Sequence, residues 1–210
     1  MLKRLCFIVL CLLLPTLTFA EDFVAGKDYV VINTASEGSS QEDRVMITEF
    51  FSYGCPWCYR LETRLETWVA AKGSHVFYEK VPVIFNKDWE FYAKAFYTAQ
   101  ALSLQESITP ALFKAILTDK KRLNNNKDMV QFLHTQGIDE KVAKSAFHNS
   151  PSIDIEINNS KRMMATYQIA AVPALLIQNK YKTDLQMAKS EDRLFAILDY
   201  LVKKSKNEHP

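Results

Sequence analysis

The chain has 210 residues, of which 48% are hydrophobic, and carries 26 basic against 24 acidic residues. This length allows one sizeable core, or one domain with a substantial insertion. A formal net charge of +2 argues against a general nucleic-acid binder and against a protein that is held to a membrane surface by charge.

The first twenty residues have the pattern of a secretory signal. Lys3 and Arg4 precede an unbroken apolar run over residues 5–14, and a small-residue cleavage site ends at Ala20. The run is too short to span a bilayer, which needs about twenty apolar residues, so we expect no stable membrane insertion. Cleavage after Ala20 would remove Lys3, Arg4 and two of the four cysteines, and would leave 24 residues of each charge sign. Export with one reactive cysteine pair fits an oxidising compartment, most simply a bacterial periplasm.

We expect strands and helices to alternate at both ends of the mature chain, with helices alone between them. Strands are predicted at residues 29–32, 45–51, 75–84 and 181–183, and at the end of the segment 169–177. Helices are predicted from about residue 55 to 71, and at residues 88–104, 107–117, 126–136, 139–147 and 191–204. The segment 152–167 is predicted as a helix, although its alternating isoleucines leave a strand open. Asn126 and Asp139 are the expected caps of two of these helices.

Strands before and after the helical block indicate an insertion within an α/β domain. We expect a signal peptide at 1–20, the first part of the α/β domain at 21–86, a helical insertion at 87–157, and the second part at 158–210. The loop between the first two strands is expected at residues 35–41.

The remaining cysteines form the motif Cys55-Pro56-Trp57-Cys58, which lies between an apolar strand and an amphipathic helix. A Cys-x-x-Cys pair on the first turn of such a helix is the thioredoxin-type redox arrangement. The helix N-terminus favours a thiolate, because its amides are unpaired and its dipole is positive. Pro56 has no N–H to satisfy there. We therefore expect Cys55 to be an exposed nucleophile and Cys58 a buried resolving thiol.

A structural disulfide and a zinc site are the alternatives for this pair. A disulfide across two residues closes so short a loop that it stabilises little. Zinc sites usually have four ligands, and the four histidines of the chain are scattered. Redox activity is the favoured interpretation, with no metal and no organic cofactor.

Two stretches and the helical insertion between them resemble the DsbA family, the periplasmic thiol:disulfide oxidoreductases of the thioredoxin superfamily. The first stretch is Glu49-Phe50-Phe51-Ser52-Tyr53-Gly54-Cys55-Pro56-Trp57-Cys58-Tyr59, and the second is Ala171-Val172-Pro173-Ala174. The resemblance covers nearly the whole mature chain. It implies a thioredoxin fold with an inserted all-helical domain.

The resemblance also implies roles for individual residues. Cys55 would be the attacking cysteine and Cys58 its partner. Val172 and Pro173 would form a cis-proline loop that faces the disulfide and pairs with an extended substrate. Pro56 and Trp57 would shape the site, although the best-known members of the family have histidine in place of Trp57.

Two carboxylates are further candidates. Alternation along the strand puts Glu49 among apolar neighbours, and the resemblance implies that it lies under the active site and assists proton transfer at Cys58. Glu62, four residues after Cys58 on the same helix face, is the second candidate. A solvated carboxylate paired with nearby basic residues is an equal alternative for Glu62.

The implied function is a periplasmic oxidase that introduces disulfides into unfolded or partly folded exported proteins with free thiols. A membrane oxidase of the DsbB type would reoxidise it, and no nucleic acid is expected as a partner. A disulfide isomerase or reductase on the same fold remains open. A peptide-binding chaperone is the alternative from another class of protein.

Overall fold

The computed structural model describes residues 23–32, 44–148 and 150–208, which form a five-stranded sheet and helices. The predicted signal peptide at 1–20 and the predicted loop at 35–41 lie outside these ranges. The strands are β1 (Val30–Val31), β2 (Val45–Phe51), β3 (Val76–Pro82), β4 (Ala174–Ile177) and β5 (Tyr181–Asp184). The helices are α1 (Pro56–Lys72), α2 (Lys87–Ala101), α3 (Gln105–Phe113), α4 (Asn126–Thr135), α5 (Glu140–His148), α6 (Pro151–Thr166), α7 (Leu185–Ala188) and α8 (Glu191–Glu208). A short π-helix, Lys114–Thr118, continues α3.

The strand order across the sheet is β1-β5-β4-β2-β3. Strands β2 and β3 are parallel and joined through α1, whereas the other neighbouring pairs are antiparallel. In this register Glu49 lies opposite Lys80 of β3 and Leu175 of β4. The β-α-β unit around the cysteines and the return of the chain into the same sheet confirm the predicted α/β fold.

Alternation along β2 separates two apolar clusters. Ile47 packs with residues of α1 and α8 on one face of the sheet. Phe50 packs with Tyr167 at the end of α6 on the other face. Because side chains alternate along a strand, Glu49 shares the face of Ile47, as the sequence pattern predicted.

The helices between β3 and β4 build a third cluster that packs against the end of β2. Phe51 contacts this cluster directly, with its ring centroid 5.3 Å from that of Phe96 and 6.2 Å from that of Phe113. The helical insertion therefore packs against the end of the sheet from which the cysteine pair follows. The expected boundary after residue 157 lies inside α6, and the domain division stays a prediction.

The segment predicted as a helix at 152–167 is confirmed as α6, and the strand alternative is wrong: Ile153 and Ile157 are buried on one helical face, while Ile155 is 59% exposed. Some other details differ from the expected elements. Asn125, and not Asn126, caps α4: its side-chain oxygen accepts the N–H of Asp128 at 2.9 Å. The expected cap at residue 139 is confirmed by its side-chain bonds to two N–H groups of α5. Helix α7 was not predicted, and residues 114–117, predicted as part of a helix, are in a π-helical form.

Within the described ranges, no helix is both long enough and apolar enough to cross a membrane.

Candidate active site

The cysteine pair lies at the junction of β2 and α1. After Phe51 the chain makes a tight turn, in which the N–H of Cys55 donates to the carbonyl oxygen of Ser52 at 3.0 Å. Cys55 has extended backbone dihedrals (φ −97°, ψ 111°) and is the N-cap of α1, and Pro56 begins the helix. Proline suits this position because an amide there would have no partner within the helix. The predicted strand, turn and helix around the pair are confirmed.

The two cysteines have free thiols in the structure, and their environments differ. The Sγ of Cys55 accepts the backbone N–H of Cys58 at 3.2 Å. A side-chain hydrogen bond with Cys58, aided by backbone N–H groups, lowers the pKa of Cys55 although burial opposes it. Burial raises the pKa of Cys58, and the neighbouring Cys55 and the charge of Glu49 raise it further. Cys55 is therefore the thiol that ionises first.

Cys55 is less exposed than the sequence pattern predicted. The residue is only 5% exposed, so the expectation of an exposed nucleophile is wrong, whereas the expected burial of Cys58, at 0% exposed, is confirmed. The loop before β4 covers Cys55, because the carbonyl oxygen of Val172 lies 3.5 Å from its Sγ. The peptide bond between Val172 and Pro173 is cis, as predicted. The loop and the first turn of α1 thus bound the reactive sulfur together.

Trp57 lines a groove beside the cysteines. The groove has a volume of about 670 Å³, and its lining includes Trp57, Val172, Pro173 and part of the segment 184–192. Trp57 is 56% exposed, and the guanidinium carbon of Arg60 lies 5.4 Å from its ring centroid. Trp57, Val172 and Pro173 are therefore brought together on one surface, next to the thiol that ionises first, whereas Pro56, which was also predicted to shape the site, begins α1 and does not line the groove.

A buried group of charges lies on the α1 face of the sheet. Glu49 is 0% exposed and Glu62 is 9% exposed. The ammonium group of Lys80 donates to Glu62 Oε1 and lies 3.6 Å from Glu49 Oε2. The Tyr78 hydroxyl donates to the same oxygen of Glu49. One cation thus links the two predicted carboxylates. The alternative interpretation of Glu62 is confirmed in its pairing with a basic residue and wrong in its solvation, because Glu62 is buried.

Some of the carboxylate oxygens in this charged group have no hydrogen-bond partner. Among the described residues, Oε1 of Glu49 and Oε2 of Glu62 are buried without a hydrogen-bond partner. Burial raises the pKa of Glu62 to about 7, although the charge of Lys80 lowers it. Burial lowers the pKa of Lys80, but the charges of Glu49 and Glu62 outweigh it, so that its pKa is raised. No group of three or more His, Cys, Asp or Glu side chains in the described part of the chain is arranged to hold a metal ion.

Lys80 and Tyr78 were missed as site residues. The available signal was their position: both are polar residues in a strand that was expected to be buried. A buried lysine requires a nearby carboxylate, because an unpaired charge is costly to desolvate. The parallel register that pairs Lys80 with Glu49 would have identified the partner.

Comparison with known proteins agrees with this geometry. The model of the family described as DSBA-like thioredoxin domain matches residues 79–202. A thiol:disulfide interchange protein DsbA of Burkholderia cepacia is 38% identical over 179 residues, which are 85% of this chain and 84% of the relative. The crystal structure of Pseudomonas aeruginosa DsbA superposes with a TM-score of 0.83 at 28% identity, covering 90% of this chain and 97% of that chain.

A more distant structure shows the same fold. The oxidoreductase DsbA from Xylella fastidiosa superposes with a TM-score of 0.79 at 22% identity, covering 88% of this chain and 98% of that chain. The family match covers more than half of the chain, and the Burkholderia relative aligns along most of both lengths. The chain therefore belongs to the DsbA-like thioredoxin domain family and is a thiol:disulfide oxidoreductase.

Proposed function

We propose that this chain acts in the periplasm as a dithiol oxidase, which transfers its own disulfide to exported proteins. The observation that supports this direction is the inequality of the two thiols. Cys55 has a lowered pKa at the N-cap of α1, and Cys58 is buried with a raised pKa. A stabilised Cys55 thiolate favours the reduced pair, so the oxidised pair gives up its disulfide readily.

The reaction proceeds by two exchanges. A substrate thiolate attacks the Sγ of Cys55 in the oxidised protein, which forms a mixed disulfide and breaks the bond between Cys55 and Cys58. Cys58 leaves with the electron pair and takes up a proton. A second substrate thiolate then attacks the substrate sulfur of the mixed disulfide, and Cys55 leaves as a thiolate. Two electrons have passed from the substrate, which is oxidised, to the cysteine pair, which is reduced.

The buried carboxylates serve the proton transfer at Cys58. Glu62, with a pKa raised to about 7, is partly protonated near neutral pH and can give or take a proton. Glu49 acts on Cys58 through its charge, which raises the pKa of that thiol. Lys80 holds both carboxylates in place, and the unpaired Oε2 of Glu62 is free to accept a proton.

The partners follow from this chemistry. The substrates are unfolded or partly folded exported proteins with free thiols, whose chain lies extended against Val172 and the groove beside Trp57. A membrane oxidase of the DsbB type takes the two electrons from the reduced pair and restores the disulfide. The secretory pattern at residues 1–20 and the relatives' family support a periplasmic location.

Trapping of the mixed disulfide tests the assignment of the two cysteines. In the variant Cys58→Ser, Cys55 is first converted to its mixed disulfide with thionitrobenzoate. The modified protein is then mixed with a reduced peptide that carries one cysteine. We expect release of coloured thionitrobenzoate and a stable protein–peptide disulfide, because no resolving thiol remains. The matched variant Cys55→Ser, treated in the same way, should react much more slowly because Cys58 is fully buried.

Equal reactivity of the two variants would contradict Cys55 as the attacking cysteine.

The direction of transfer is tested with the wild-type protein, which should oxidise a reduced two-cysteine peptide stoichiometrically. A double variant, Cys55→Ser with Cys58→Ser, that still restored function in cells would favour the peptide-binding chaperone instead.

A further inference from the structure

The turn that carries Cys55 is closed by hydrogen bonds between its own residues. Besides the bond from Cys55 N–H to the Ser52 carbonyl, the N–H of Gly54 donates to Ser52 Oγ at 3.1 Å. Gly54 directly precedes the attacking cysteine. Any displacement of Gly54 therefore moves the backbone of Cys55, whose Sγ is held by an amide of α1.

Gly54 is required by space and not by backbone conformation. Among the described glycines, Gly26, Gly73 and Gly137 have a positive φ, and Gly54 does not. A Cβ at position 54 would lie 2.5 Å from Trp89 Nε1 and 3.1 Å from Cε2 atoms of both Trp89 and Tyr92. Helix α2 therefore approaches the turn so closely that only glycine fits without a shift.

The half-buried Trp89 has partners on several sides. The side chain of Asn86 caps α2 and accepts the backbone N–H of Trp89 at 3.0 Å. The indole stacks on Phe85, with ring centroids 5.4 Å apart and an interplanar angle of 28°. It also packs against the cluster of the helical insertion and against the cluster around Phe50. A ring with contacts on so many sides can hold the turn rather than yield to it.

The insertion also holds the residue before Gly54. The hydroxyl of Tyr53 is hydrogen-bonded to Thr109 Oγ1 of α3 at 3.0 Å, and its ring lies edge-to-face on Phe113 at 5.0 Å. Two helices of the insertion thus contact the two central residues of the turn. The geometry of the cysteine turn is therefore set by the insertion as well as by β2 and α1.

We propose that Trp89 is a positioning residue: its indole presses on Gly54 and so keeps the Cys55 sulfur in line with the N–H of Cys58. The inference rests on Cys55 being the attacking thiol. It assigns to the helical insertion a part in the reactivity of the pair, through a residue that touches no substrate.

The test compares Trp89→Ala with Trp68→Ala. Trp68 lies on α1 away from the turn, where its Nε1 donates to Asp199 at 2.8 Å. Two quantities are measured for each: the pKa of Cys55 from thiolate absorbance, and the equilibrium with glutathione by alkylation and mass. In Trp89→Ala we expect the Cys55 pKa to rise by about one unit. We also expect the equilibrium to shift about tenfold towards the disulfide, which is about 30 mV for a two-electron couple.

Trp68→Ala should lower the unfolding temperature but leave both quantities unchanged, and Trp89→Phe should restore most of the wild-type values. A Trp89→Ala variant that loses stability but keeps the wild-type pKa and equilibrium would overturn the proposal. If the wild type itself proved to be a reductant, the oxidase assignment would fail, while the difference between the two tryptophan variants would still decide the role of Trp89.

A double-mutant cycle provides a second test. Gly54→Ala should shift the equilibrium strongly in the wild-type background but shift it much less in Trp89→Ala, where the 2.5 Å contact with Nε1 is gone and only the 3.1 Å contact with Tyr92 Cε2 remains. Additive effects would show that the indole is not what Gly54 accommodates, and would overturn the proposal. Trp89→Ala and Trp89→Phe decide the question alone if Gly54→Ala does not fold.

Discussion

The chemistry of Cys55 and Cys58 depends on which groups surround each sulfur. Cys55 is close to backbone N–H groups at a helix N-terminus, which favour its anion. Cys58 is enclosed among apolar side chains and lies within the electrostatic reach of Glu49, and both effects favour its neutral form. Two chemically identical thiols are thereby given different roles by their positions only one helical turn apart.

Glu49→Gln tests whether this carboxylate acts on Cys58. Without the negative charge the pKa of Cys58 should fall, so the step in which Cys58 resolves a mixed disulfide should reach half its maximal rate at a lower pH. The measurement is the pH profile of release of a peptide held on Cys55. A profile with unchanged midpoint and rate would remove Glu49 from the mechanism.

Glu62→Gln should change how stability depends on pH. Burial raises the pKa of Glu62 from 4.5 to about 7, so the folded protein retains a proton that the unfolded chain releases. The stabilisation is fully present below about pH 4.5 and is lost as the pH rises through about 7. We expect the wild type to lose on the order of 1–3 kcal/mol of unfolding free energy across this window, relative to the variant.

Urea unfolding of the reduced proteins, at several pH values across that window, measures the difference. Glu106→Gln is the matched control, since Glu106 is an exposed carboxylate in the first turn of α3, away from Glu62. Its profile should run parallel to that of the wild type. A parallel profile for Glu62→Gln as well would contradict the raised pKa of Glu62.

At the scale of elements, the sequence predicted those segments whose conformation is determined by residues only a few positions apart. The apolar run before Cys55, Pro56 at the start of the helix and the apolar spacing after Cys58 each specify conformation within a few residues. The strand, turn and helix at the site were therefore predictable. The cis bond at Pro173 was predictable from the family resemblance.

The remaining features depend on contacts between distant parts of the chain. Lys80 becomes a site residue only through the register of β3 with β2 and the position of α1. The burial of Cys55 depends on Val172, which is 117 residues away. The close approach of Trp89 to Gly54 depends on where the insertion packs. None of these relations leaves a periodic signal in the sequence.

At the scale of the whole molecule, three separate parts of the chain meet at one end of the sheet. The helical insertion packs on Phe51 and on the turn after it, the loop before β4 covers Cys55, and α1 begins there. Along the groove, Arg60 is paired with Glu191 and Arg64 with Asp192, so these charges are compensated between α1 and α8. What remains beside the reactive sulfur is the exposed Trp57 and the Val172–Pro173 loop, the surface on which the proposed function places the substrate chain.

The most direct test of the central claim is the equilibrium of the Cys55–Cys58 pair with glutathione redox buffers in the wild-type protein. The stabilised Cys55 thiolate predicts an oxidising pair, with a potential closer to about −120 mV, the reference value for DsbA, than to about −270 mV, that of thioredoxin. The measurement can follow the fluorescence change on reduction, since Trp57 adjoins the cysteines. A potential near about −270 mV would mean that the pair is better kept reduced, and would contradict the oxidase in favour of a reductase or isomerase on the same fold.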